Sequence, residues 1–259
     1  MEDRLLIQTF QEKINQIYNS QKLYPLSGLD NSFMLPNGKQ FMIWYTEITT
    51  KRNCSVKGFY DYTNLLDDLL IISDEIVYFT AHLYFYRPHS NSPLKDSYMS
   101  PNGKYIYPVF QNLEGKRYQM FINICFEKVY NFWDRIGDLI ASYFPHLFKK
   151  NIYFSQVLEK IKFEYIGNED FDWLLNFYQS EFKNFNLQRI KTVHTININT
   201  EIKREQLNHV TDLQKTLDLN NKIQSYPEKF KELNKLSIEG FEKTLNFLEY
   251  INKTEGYNC

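Results

Sequence analysis

The chain has only three cysteines in 259 residues, Cys54, Cys125 and Cys259. They are far apart and odd in number, which excludes a disulfide scaffold and fits a reducing compartment. No CxxC pair and no Cys/His spacing of a zinc site occurs, so no metal is expected. Glycine and proline are scarce, at 9 and 8 residues, which suits long helices better than a many-turned β architecture. A charge excess is missing as well. Thirty basic residues face 31 acidic ones for a net charge of −1, so any case for nucleic-acid binding must rest on local charge. The best apolar stretch, Leu65 to Val77, is broken by Asp67, Asp68, Asp74 and Glu75, which excludes a membrane span. The opening MEDRLLIQTF has acidic residues first and no apolar core of signal-peptide length after them, so no signal peptide is expected there. A cytoplasmic location is the expectation. No GxGxxG, P-loop, HExxH or GxSxG pattern appears, and no cofactor is expected.

What the chain has is aromatic surface. Tyr and Phe number 20 and 21, and 43% of all residues are hydrophobic. That is enough for a large core and argues against disorder. Leu65, Leu69, Ile72, Ile76, Phe79 and Leu83 recur at spacings of 4, 3, 4, 3 and 4, a helical seam more than five turns long. Asp61 or Thr63 could cap it. A second seam runs over 119–144 through Ile122, Cys125, Val129, Phe132, Ile136, Leu139 and Tyr143, and Pro145 ends it. Two such helices are expected to pack antiparallel at a shallow angle. Leu69, Ile76, Leu83, Val129, Ile136 and Leu139 are the predicted core.

Further helices are expected over 2–19, 153–164, 169–185, 201–222 and 227–252, with Pro227 at a helix start. Residues 40–49 read as a strand. Pro36-Asn37-Gly38 and Pro101-Asn102-Gly103 sit in similar contexts and read as two hairpin tips, since Asn and Gly tolerate positive φ. The fold class is therefore mainly α, a helical bundle with short β and turn elements near the N-terminus.

Charge is not evenly spread. Lys183, Arg189, Lys191, Lys203 and Arg204 accompany a single acid, Glu201, and no acid lies between Phe182 and Thr200. Such an island can attract phosphate. Its bland alternative is a basic helix end that complements the helix dipole. Inside it stands Arg189-Ile-Lys-Thr-Val-His194. Arginine binds phosphate as a planar fork, and histidine can move protons near neutrality. Together they can cleave RNA: the imidazole serves the 2′-hydroxyl or the leaving oxygen, and the guanidinium stabilises the phosphorane. The spacing recurs in Arg204-Glu-Gln-Leu-Asn-His209. Residues five apart on a regular helix point about 140° apart. Arg189 and His194 therefore converge only at a helix end or bend, or across two copies. Of the other histidines, His82 reads as packed, and His89 and His146 as loop residues.

Arg189 to His194, following two long amphipathic helices, resembles the R-x4–6-H motif of the HEPN superfamily (higher eukaryotes and prokaryotes nucleotide-binding). The stretch Phe132-Trp133-Asp134-Arg135-Ile136-Gly137-Asp138-Leu139 is similar to those of prokaryotic stand-alone HEPN proteins. The resemblance implies a HEPN-like bundle over residues 61–255, with 1–60 as an added element packed on it. It implies a metal-independent endoribonuclease, a toxin or phage-defence effector, acting on RNA as a homodimer. An antitoxin or a defence-system component is the further partner class. Arg189 and His194 take the catalytic positions, and Val193 matches the apolar residue before the histidine. Lys183, Lys191, Lys203 and Arg204 are candidates for phosphate contact. Asp134 and Arg135 are candidates for support around the site.

Ile190 stands where the family usually has a polar residue. This leaves open a non-catalytic module of the same fold that binds RNA, a nucleotide or a protein. A third reading is a structural helical protein in which the spacing is accidental.

Overall fold

A computed structural model describes residues 2–50, 61–90, 92–107, 112–148, 152–190 and 198–254. The described chain is a mainly helical bundle. Its helices are α1 (Glu2–Gln21), α2 (Phe41–Thr50), α3 (Tyr62–Tyr86), α4 (Leu113–Ala141), α5 (Phe154–Tyr165), α6 (Glu169–Phe177), α7 (Lys183–Ile190), α8 (Ile198–Asn208), α9 (Leu213–Gln224) and α10 (Tyr226–Thr254). A π-helical turn over Tyr178–Phe182 joins α6 to α7. Among the described residues, extended pairing is confined to a hairpin, β1 (Tyr98–Met99) with β2 (Tyr105–Ile106), and one bridge between Met34 and Gln40.

Both Pro-Asn-Gly tips form turns of the same geometry. Gly38 and Gly103 have φ of 78° and 74°. Leu35 N donates to Lys39 O at 3.0 Å, and Ser100 N donates to Lys104 O at 2.8 Å. Positive φ is strained for any residue with a Cβ, which is why glycine ends each turn. The helix starts also follow the side chains. The Asp61 carboxylate accepts from Thr63 N, Asn168 caps α6 by accepting from Phe171 N, and Asp212 caps α9 by accepting from Lys215 N.

Residues 40–49 were expected as a strand and fold instead as α2. Its buried residues, Phe41, Trp44, Tyr45, Ile48 and Thr49, mark one helical face. The aromatic and β-branched residues favour strands, but this spacing meets the core only as a helix. The single helix expected over 201–222 is two, α8 and α9. They are separated by a turn in which Asp212 N donates to His209 O.

The described residues divide into two compact units. One comprises 1–23, 77–127 and 187–232. In it, Ile14 of α1 packs with Leu23 and with Val77, Ala81 and Tyr84 of α3. Phe121 of α4 meets Phe79, His82 and Tyr86 of α3, and Arg117 lies over the Tyr86 ring, so α3 and α4 run antiparallel here. Phe126 packs edge-on against Phe230 at the start of α10.

The other unit comprises 24–76, 128–186 and 233–259. Its centre is Trp133, fully buried and surrounded by Phe154, Phe177 and Phe182. Phe177 and Phe182 are five residues apart, about 140° on a regular helix. The wider π turn lets both reach the same indole. Gly240 of α10 passes the ring so closely that a Cβ there would lie 2.2 Å from Trp133 Cη2. Gly137 of α4 likewise admits the Phe154 backbone, which would be 2.7 Å from a Cβ.

The predicted core residues Leu69, Ile76, Leu83, Val129, Ile136 and Leu139 are all fully buried. Each such side chain contributes roughly 1.5–3 kcal/mol. Among the described residues no helix is long and apolar enough to cross a membrane.

Gly240→Ala is therefore expected to destabilise the fold by about 1–3 kcal/mol, because a caged indole cannot yield as a flexible side chain would. Thermal unfolding should show a midpoint several degrees lower, and an unchanged midpoint would contradict the packing described.

Candidate functional site

Arg189 lies at the end of α7, half-buried, one residue before the last described position of that helix. Its neighbours Leu187 and Ile190 are exposed, at 52% and 39%. The adjacent Gln188 is held by the Lys229 ammonium, which donates to its Oε1. Lys229 also lies 5.1 Å from the centre of the Phe126 ring and 5.9 Å from that of Tyr226. The last turn of α7, which carries Arg189, is thus tied to the start of α10. Lys191, Val193 and His194 lie outside the described residues.

Helix α8 sorts its charges by face. Ile202 is buried, while Lys203 and Arg204 are exposed. Tyr226 has its pKa pushed up to about 12, first by burial and then by the negative charges of Glu201 and Glu205. The acids of α8 therefore act on the Tyr226 side, and its outward side is basic. This leaves a local anion-attracting face in a chain of net charge −1.

Of the second Arg-x4-His pair, Arg204 lies in α8 and His209 in the turn that follows it. His209 lines an open cleft of about 360 Å³ together with Glu205, Lys215, Asp218, Leu219 and Lys222, and Arg204 does not line it. This cleft had a signal in sequence: Lys215, Asp218, Leu219 and Lys222 fall at helical spacing on one face of α9. Read as the middle of one long helix, that face carried no message.

Lys183 is exposed, and it belongs with Asp134 and Arg135 to the unit around Trp133. Asp134 Oδ1 accepts from Phe154 N at 3.4 Å, at the start of α5. Arg135 pairs with Asp138 at 2.8 Å, one turn along α4. With Trp133 and Gly137, these residues give the Phe132–Leu139 stretch a local structural logic.

The HEPN_Cthe2314-like family of HEPN domains matches residues 68–251. The chain belongs to this HEPN family. The comparisons with curated proteins and with solved structures returned no significant match. The matched span of the HEPN domain begins within α3, ends within α10, and includes both Arg189 and His194.

Of the remaining histidines, His146 is exposed. His82 is buried, as its place in the helical seam implies. Its Nδ1 lies 2.7 Å from Tyr78 O, and Phe10, Tyr78 and Phe121 surround the ring. Burial lowers its pKa below 6.5, with the Tyr78 hydrogen bond opposing. The unfolded chain then binds more protons than the native one below pH 6.5. This contribution to stability is complete above that pH and is lost as pH falls towards the depressed native value. In denaturant titrations, His82→Phe should lose stability less steeply than wild type on acidification below 6.5. Parallel pH profiles would show that His82 is not the group responsible.

Proposed function

We propose that this HEPN protein is a metal-independent endoribonuclease that works as a homodimer. The observation that carries the reading is the family match, because its span, residues 68–251, includes the positions of Arg189 and His194. The half-buried Arg189 and the basic outer side of α8 support it. The substrate would lie with its phosphates on Lys203 and Arg204. Lys191 would join them from the motif itself, and Lys183 is a further candidate for phosphate contact.

In the reaction, the ribose 2′-oxygen attacks the adjacent phosphorus as a histidine takes its proton. Arg189 stabilises charge on the phosphorane. The bond to the 5′-oxygen breaks, and that oxygen leaves as a hydroxyl after receiving a proton. The products are a 2′,3′-cyclic phosphate and a 5′-hydroxyl end. One base and one acid are needed, and each copy offers one His194, so a two-fold arrangement supplies both. The exposed Leu187 and Ile190 beside Arg189 give a second copy apolar surface to cover. Ile190 is then an interface residue where the family usually places a polar one.

The same departure favours a second reading, a non-catalytic module that binds RNA, a nucleotide or a protein partner. In either reading residues 1–60 are an addition to the family's domain over 61–255. The setting we favour is a toxin or defence effector in the cytoplasm, held in check by a partner such as an antitoxin.

The test is incubation with mixed cellular RNA in EDTA. Cleavage should persist and leave cyclic phosphate ends, and a 2′-deoxy residue at the scissile position should block it. His194→Ala should lower the rate by roughly 10²–10⁴-fold, and Arg189→Ala should do similar damage. Lysine at 189 should rescue only in part, lacking the planar fork. Full activity in His194→Ala would overturn the mechanism. No cleavage by the wild type would transfer the weight to the binding module.

A further inference from the structure

The cleft between the end of α8 and α9 has a chemistry of its own. Glu205 and His209 are one helical turn apart, and Lys215, Asp218, Leu219 and Lys222 come from one face of α9. The walls carry two cations, two carboxylates and an imidazole around an apolar floor. Among the described residues, neither Lys215 nor Lys222 forms an ion pair. Asp218 accepts from Gln214 Nε2 at 2.9 Å, which leaves its second oxygen for another donor.

The turn that holds His209 is fixed on several sides. Its carbonyl accepts from Asp212 N at 2.9 Å and from Thr216 Oγ1 at 3.3 Å, and the neighbouring Val210 O accepts from Tyr107 N at 2.8 Å. The turn that carries His209 is thereby held by backbone contacts as well as by a side-chain hydroxyl.

Such a wall suits neither a continuous polyanion nor a simple anion. Two carboxylates would repel a phosphodiester strand running through the cleft. They can, however, accept hydrogen bonds from a vicinal diol, while lysine ammoniums take a phosphate as point charges. A volume of about 360 Å³ holds one nucleotide-sized molecule.

We propose that this cleft binds a ribose carrying a terminal phosphate monoester. The phosphate lies on Lys215, Lys222 and His209, the ribose hydroxyls face Glu205 and Asp218, and Leu219 supports the apolar part. Two sources share this chemistry, a free nucleoside monophosphate and the phosphorylated end of an RNA. The proposal is independent of catalysis at Arg189 and His194.

The test is calorimetric titration of the full chain carrying His194→Ala, so that any RNA stays intact. Adenosine 5′-monophosphate should bind, and adenosine should bind at least about tenfold more weakly, having lost the charge-assisted bonds. The double variant Lys215→Glu/Lys222→Glu reverses two exposed charges and should abolish binding, with an unchanged circular dichroism spectrum. Asp218→Ala should weaken binding of the monophosphate. An oligoribonucleotide with a 5′-phosphate, compared with its 5′-hydroxyl counterpart, separates the sources. Preference for the phosphorylated end assigns RNA termini, and indifference with retained monophosphate binding assigns the free nucleotide. No binding of the monophosphate at millimolar concentration, or equal binding by the lysine double variant, overturns the proposal. RNA cleavage by the two-lysine variant reports separately on the motif site, so failure of one reading is distinguishable from failure of the other.

Discussion

Trp133 has no exposed surface, and α10 passes it only because residue 240 lacks a side chain. In the unit built from residues 24–76, 128–186 and 233–259, this one contact sets how near α4 and α10 come. The same indole fixes the segment that follows α6. Phe177 stacks on it at 4.1 Å and Phe182 meets it at 6.3 Å, which the intervening π turn permits. A π turn also shifts the phase of everything after it along the helix.

The unit built from 1–23, 77–127 and 187–232 works by a different constraint, the sorting of charge. Lys229 holds Gln188, and Tyr226 lies in the field of Glu201 and Glu205. The start of α10 thus anchors α7, and its Tyr226 feels the negative charge of Glu201 and Glu205. What remains outward on α8 is Lys203 and Arg204. A neutral chain acquires a basic face without an excess of basic residues.

Much of the bundle was legible in sequence because its seams are long. The α3 and α4 stripes repeat at helical spacing for several turns, and no strand could keep that period. The hairpin tips were legible because Pro-Asn-Gly leaves few backbone choices. The failures have physical causes. Residues 40–49 combine β-favouring residues with burial at helical spacing, and over ten residues tertiary packing decided. The α8–α9 turn contains neither glycine nor proline, so only Asp212 marked it. In α1, Ile14 is buried but Leu6 is 68% exposed. Arg189 is singled out in the sequence only by its spacing to His194. Its half-buried setting between the exposed Leu187 and Ile190 depends on packing that no local pattern encodes. The π turn had no sequence signal.

The central claim is that one ribonuclease site is assembled from two copies of the HEPN domain. Its most direct test is co-expression of wild-type and His194→Ala chains in equal amounts, followed by measurement of specific activity on RNA. If each site needs both histidines, only wild-type pairs cut, and activity falls to about one quarter of that of the pure wild type. Activity of about one half would mean that each copy acts alone, and would contradict the account.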